Sequence, residues 1–180
     1  MQKPLTKFRV GTILWLILIE FVSSRKEEYS MDEIDAQILQ VLQSNARMTA
    51  SQISTKISLS VPAVCERLKK LDASGIIKQY TTIINPSTVG KNLMAMMLVT
   101  LENARYHEKF AEYIQEQDEV LECYYLAGDY DYYLKIVTSD TASLESLLNQ
   151  IKYLNGVVRT QTTIILSTIK QKYSVFVKAK

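Results

Sequence analysis

The chain has 180 residues, 47% of them apolar, and a formal net charge of +2 at pH 7. That apolar fraction excludes a disordered chain, and the length suits one large domain or two small ones. The two cysteines, Cys65 and Cys123, lack CxxC or Cys/His spacing. They point away from a zinc site or a disulfide framework and towards reduced thiols in a cytosolic protein.

Residues 1–30 stand apart from the rest. Lys3, Lys7 and Arg9 precede an apolar run over 10–19, which Glu20 breaks before Phe21 and Val22. A basic start and a run of this kind resemble a signal peptide, but Ser23-Ser24-Arg25-Lys26 offers no small-x-small cleavage pattern. The run is also shorter than the roughly 20 residues of a membrane-spanning helix. We therefore read 1–30 as a dispensable extension upstream of a natural start at Met31, with a membrane-associated amphipathic arm as the alternative. No stable membrane association is expected.

Between Asp32 and Asn45, Ile34, Ile38, Val41 and Leu42 recur at helical spacing, with Asp32, Glu33 and Asp35 in the first turn, where the helix dipole favours carboxylates. Thr49 and Gln52 form a capping-box pattern ahead of Ile53 and Ile57. Ser60 caps a further helix with Pro62 in its first turn, Val64, Leu68 and Leu71 on its apolar stripe, and Gly75 as its stop. Pro62, Ala63, Glu66, Arg67, Lys69 and Lys70 are left for the outer face. A short helix, a turn and a longer helix with a basic face form a helix-turn-helix pattern. Residues 46–80 carry six Lys/Arg against two carboxylates, a local net charge of +4 that suits double-stranded DNA.

Residues 76–84 (IIKQYTTII) are rich in β-formers and end at Asn85-Pro86, so we expect a connecting strand that pairs with something. A second domain follows: a strand over 93–101, a helix over 105–117, a strand over 120–127, the turn Gly128-Asp129-Tyr130-Asp131, a strand over 132–138, a helix over 141–155 and a β-rich run over 157–169. The order β-α-β-β-α-β is ferredoxin-like. In that fold one sheet face is free of helices, and here it presents Met94, Met96 and Leu98, too apolar a row to leave wet. Two such sheets packed face to face, as a homodimer, are the economical answer and suit paired half-sites on DNA.

No enzyme is expected. The sequence has no glycine-rich phosphate loop and no nucleophile elbow. Asp129 and Asp131 read as turn-shaping rather than metal-binding, and His107, the only histidine, reads as solvated at the start of a surface helix. No metal or cofactor is expected.

These motifs together resemble one family. MDEIDAQILQVLQSNARMTASQISTKISLSVPAVCERLKKLDASGII looks like the N-terminal module of the Lrp/AsnC, or leucine-responsive, transcription regulators; VLECYYLAGDYDYYLKIV and LNGVVRTQTTIILSTIK look like their ligand-sensing domain. The resemblance implies an α+β chain: an N-terminal winged-type helix-turn-helix (31–76), a connecting strand (77–90), a βαββαβ sensing and oligomerisation domain (91–173) and a C-terminal tail (174–180). It implies dimers, often octamers, in a cytoplasmic, nucleoid-associated regulator of amino-acid metabolism. The implied DNA contacts are Thr49, Ser60, Pro62, Ala63, Cys65, Glu66, Arg67 and Lys70, with Arg67 the candidate for a phosphate or guanine. The implied site for an amino-acid effector, between dimers, is Gly128, Asp129, Tyr130 and Asp131 with Thr160 and Thr162. The alternative is an architectural DNA-binding protein with no small-molecule effector. Cys65 stands where small or hydroxyl residues are common in the family, and Ser58 where a glycine is.

Overall fold

The computed structural model describes residues 29–178, which divide into two compact units. The expected extension lies outside the described residues, apart from its last two. One unit runs through Thr82 and takes back the chain from Lys172; the other is Ile83–Gln171.

In the first unit, α1 (Glu33–Ser44) starts at a capping box in which Asp32 accepts from the Asp35 amide at 2.9 Å and Asp35 accepts from the Asp32 amide at 3.1 Å. α2 (Ala50–Ile57) starts at the expected Thr49–Gln52 box, and α3 (Val61–Ala73) at the expected Ser60 cap. Between α2 and α3 the chain turns through Ser58 in the left-handed region, φ 55°. A side chain there is disfavoured by about 1–2 kcal/mol per residue, which is why glycine suits this position. Ile38, Ile53, Val64 and Leu71 close the core with no exposed surface. Full burial of such side chains contributes roughly 1.5–3 kcal/mol each.

Two features of this unit depart from the sequence reading. Tyr29, placed in the dispensable extension, packs on the core and donates its hydroxyl to Asp35 at 2.8 Å. The segment read as a C-terminal tail, 174–180, meets this unit: Gln43 Nε2 donates to the Val175 carbonyl at 2.8 Å, Gln40 Nε2 to the Val177 carbonyl at 2.9 Å, and Val177 packs against the core.

The expected connecting strand over 76–84 is absent: no strand forms there, and the next regular element is a 3-10 turn, Pro86–Val89. Tyr80, Ile83 and Ile84 are exposed. β-forming composition makes a strand only where a ladder partner satisfies the backbone, and the described residues of this one chain provide none.

The second unit contains β1 (Leu93–Leu101), α4 (His107–Gln115), β2 (Val120–Tyr125), β3 (Tyr132–Thr138), α5 (Thr141–Lys152) and β4 (Val157–Ile165), with a 3-10 turn at Ala104–Tyr106 leading into α4. The antiparallel sheet has the order β2-β3-β1-β4, the expected ferredoxin-like arrangement. Ala95, Met97, Val99 and Leu101 on alternate β1 positions form one core with Phe110 and Ile114 of α4 and Leu144, Leu147 and Ile151 of α5. Register places Met94, Met96 and Leu98 on the other face, level with Val137, Lys135 and Tyr133 of β3 and with Ile165, Thr163 and Gln161 of β4. These three residues are half-buried, and Lys135 is paired with Glu122 at 2.7 Å beside them. Gly156, before β4, has φ 91°, and a Cβ on it would overlap the Tyr106 ring. Only glycine fits both constraints.

Candidate nucleic-acid interface and effector turn

The outer side of α3 is built from residues its own caps leave free. Thr49 and Ser60 use a lone pair of their hydroxyls on the Gln52 and Ala63 amides, so each hydroxyl hydrogen stays available to a phosphate oxygen. Ser60, Pro62, Glu66, Lys69 and Lys70 are exposed, while Ala63 and Cys65 are half-buried. Glu66 and Lys70 pair one helical turn apart at 2.7 Å, and Lys70 holds the Glu66 carboxyl below its ordinary range, mainly by that hydrogen bond. Arg47, Lys56 and Lys78 add exposed positive charge to the same unit.

Arg67, half-buried like Ala63 and Cys65, is engaged by α1. Its Nη1 donates to Asp32 at 2.7 Å and to Asp35 at 2.9 Å, with Asp35 only 1% exposed. The guanidinium is thus the clasp that fixes α3 to the N-terminus of α1, and it cannot reach a base edge without opening that clasp. Its hydrogen bonds to both carboxylates, that to Asp32 first, hold the Arg67 pKa above its ordinary value. Asp32 is lowered, first by the Asp35 amide and then by Arg67. Tyr29 is pushed up to about 12, chiefly by burial and then by its hydrogen bond to Asp35. A buried carboxylate needs such partners. The sequence did carry a signal for this: Asp35, Ile38, Leu39 and Leu42 lie at i, i+3, i+4 and i+7, so a carboxylate sits on the buried stripe.

In the second unit, the turn before β3 crosses the end of β1. The Asp131 amide donates to the Val99 carbonyl at 2.9 Å, and its carboxylate accepts from the Leu101 amide at 2.7 Å. Asp131 is therefore a brace between turn and strand. Gly128 and Asp129 are exposed, and Gly128 has nothing within 4 Å of the position a Cβ would take. Tyr130 reaches β4: its hydroxyl donates to Gln161 Oε1 at 2.6 Å, and Arg159 lies over its ring, 4.7 Å from the centroid.

Thr160 and Thr162 do not join this group. They pair with Val99 and Met97, whose side chains face the helices, so they point to the opposite side of the sheet from Arg159 and Gln161. Period-2 alternation along β4 was the available signal. His107, expected to be solvated, is half-buried, with Nδ1 3.1 Å from the Tyr132 hydroxyl and its ring edge-on to Tyr125. Among the described residues no cluster of His, Cys, Asp or Glu has metal-binding geometry, and no helix is long and apolar enough to cross a membrane.

The comparisons with known proteins agree with this division. The Lrp/AsnC ligand binding domain matches residues 94–175, and a winged helix-turn-helix DNA-binding domain matches residues 31–78. A curated relative, the HTH-type transcriptional regulator FL11 of Pyrococcus abyssi, is 36% identical over 142 residues, 79% of this chain and 93% of that protein. The chain belongs to the Lrp/AsnC family of transcription regulators. The leucine-responsive regulatory protein of Escherichia coli K12 is 29% identical over 161 residues, covering 88% of this chain and 98% of that one. Among solved structures, the Neisseria meningitidis transcriptional regulator NMB0573, solved as a complex with L-Met, matches with a TM-score of 0.78 and 32% identity. That match covers 81% of this chain and 96% of that one. Bacillus subtilis LrpC matches with a TM-score of 0.73 and 34% identity, covering 79% and 99%. The first unit is thus the DNA reader and the second the ligand-binding domain of a non-enzymatic, DNA-binding regulator.

Proposed function

We propose that this regulator controls genes of amino-acid metabolism and takes a free amino acid at the Gly128–Asp131 turn, in the interface between dimers. The observation that carries the reading is the division of labour in the turn. Asp131 is spent on β1, while Asp129 is exposed and Tyr130 reaches Gln161 and Arg159 of β4. The relative solved with L-Met makes methionine the first ligand to try. Dimerisation through the Met94, Met96 and Leu98 face, with higher assembly to an octamer, would set two readers on half-sites roughly 34–36 Å apart. Thr49, Ser60, Pro62, Ala63, Cys65, Glu66 and Lys70 form the proposed DNA contacts, in a cytoplasmic, nucleoid-associated protein.

A second reading, broad architectural binding with no effector, is favoured by one observation. With Arg67 turned inward and Glu66 paired to Lys70, few side chains of α3 are left to carry a base code. DNA binding measured at several salt concentrations, with and without each amino acid, separates the two. Specific regulation requires tighter binding to a promoter than to random DNA at physiological salt, and a change on adding one amino acid. Equal affinities and no amino-acid effect would leave the architectural reading.

A further inference from the structure

The reader unit is not continuous in sequence. The chain leaves it after Thr82, builds the whole of the other unit over Ile83–Gln171, and returns to it from Lys172. Two glutamines of α1 hold the returning segment. Gln43 Nε2 donates to the Ser174 hydroxyl at 2.9 Å and to the Val175 carbonyl at 2.8 Å, and Gln40 Nε2 donates to the Val177 carbonyl at 2.9 Å. Gln40 and Gln43 lie one helical turn apart on one face of α1, and carbonyls two residues apart point the same way from an extended chain. The two spacings match, so what α1 reads is mainly main chain. Val177 packs on the reader's core, while Tyr173, Val175 and Phe176 stay 64%, 78% and 79% exposed. Residues 166–171, between β4 and this segment, have no regular structure and are exposed.

We propose that residues 172–178 are a releasable strap, docked on α1 through Gln40 and Gln43, that ties the reader to the ligand-binding domain at a second point. A terminal segment is ordered only where something ties it down, and here the tie is the outer face of α1. The connector at Thr82 is one covalent link, and a unit on one link turns about it; the docked strap adds a second and removes that freedom. The short stretch 166–171 makes docking intramolecular, so a few contacts suffice to close the strap. The same small number of contacts, with most of the strap's apolar side chains left in water, lets it open. Neither Gln40 nor Gln43 is among the proposed DNA contacts, so the strap restrains the reader without occupying any of them. This holds whether or not an effector binds.

Hydrogen exchange of the α1 amides in a urea series tests the docking. It is measured on the full chain and on the chain stopped after Gln171, each with and without Gln40→Ala/Gln43→Ala. Alanine is the better helix former, so on an exposed helix face these substitutions by themselves slow exchange. We expect the opposite in the full chain, roughly 10-fold faster exchange as the strap's hydrogen bonds are lost. The stopped chain, with no strap to lose, should show no such acceleration. Equal acceleration in both chains, or none in the full chain, overturns the docking. The second point of attachment is read by time-resolved anisotropy of a dye on Lys56→Cys, an exposed position of the reader, with Cys65→Ser and Cys123→Ser removing the native thiols. The stopped chain and the double-alanine chain should each gain a fast component that the full chain lacks. Identical decays alongside the expected exchange result would make the segment a part of the reader's core only and overturn the tether. Should the stopped chain fail to fold, the double-alanine full chain decides both measurements, because the sign of its exchange change separates lost contacts from helix propensity.

Discussion

Replacing Arg67 with methionine tests the clasp between α3 and α1. The variant keeps the length and apolar stem of the side chain but removes the guanidinium from Asp35, which is 1% exposed and left with the Tyr29 hydroxyl and the Asp32 amide. Stranding a buried carboxylate costs roughly 3–5 kcal/mol. The bond to Asp32, whose side chain is half-exposed, adds little because water already screens it. We expect about 3 kcal/mol. With a urea dependence of about 1–3 kcal/mol per molar, the unfolding midpoint of the reader should fall by roughly 1–3 M. Hydrogen exchange of the α1–α3 amides in a urea series reads that unit separately from the other. Adding Asp35→Leu should restore much of the loss, because an apolar pair of similar volume replaces a buried ion pair at little cost. Asp32 titrates below its ordinary 3.8 in the folded chain, so its share of stability is present above that pH and fades only as pH falls through the lower folded value. Where the variant remains folded, its DNA affinity should match the wild type. An unchanged urea midpoint together with a 10- to 100-fold loss of DNA affinity would return Arg67 to the DNA surface and refute the clasp.

Four more expectations have equally direct measurements. Tyr29 ionises near 12 in the folded chain rather than at its ordinary 10.0, so its contribution is intact below pH 10 and lost as pH rises towards 12; Tyr29→Phe should remove that part of the alkaline loss seen by circular dichroism. Ser58→Gly relieves a left-handed side chain and should raise the stability of the reader by up to about 1 kcal/mol, visible as a higher urea midpoint. Gly156→Ala combines a positive φ with overlap on the Tyr106 ring and should cost the ligand-binding domain roughly 2–4 kcal/mol, read by hydrogen exchange of β1 and β4. Asp131→Ala strips the acceptor from the Leu101 amide and should cost about 1–3 kcal/mol of that domain's stability in the absence of any ligand; an unchanged midpoint would return Asp131 to effector contact.

The elements themselves were legible because each rests on local chemistry. The Thr49–Gln52 box, the Ser60 cap with Pro62, and the alternation of Ala95, Met97, Val99 and Leu101 appear where the residue patterns place them. Capping and periodicity act over a few residues, so a sequence carries them in full. The ferredoxin-like order followed from the same patterns, whereas the family rested on the resemblance of whole segments.

What lay beyond the sequence were facts that need a second segment. Arg67 shares a helical face with Glu66 and Lys70 by spacing alone, and only the approach of Asp32 and Asp35 from α1, more than thirty positions away, turns it inward. Residues 76–84 have strand composition, yet strandedness requires a ladder partner. The C-terminal segment joins the reader because Gln40 and Gln43 meet its backbone across some 130 residues of chain and Val177 packs on the core. At the turn, the sequence named Asp129, Tyr130 and Asp131 alike. Tertiary structure assigned Asp131 to β1, set Tyr130 against Arg159 and Gln161, and turned Thr160 and Thr162 to the other side of the sheet. Local free-energy preferences fix which elements form. The pairing of distant charges and backbones fixes which side chains remain free to act.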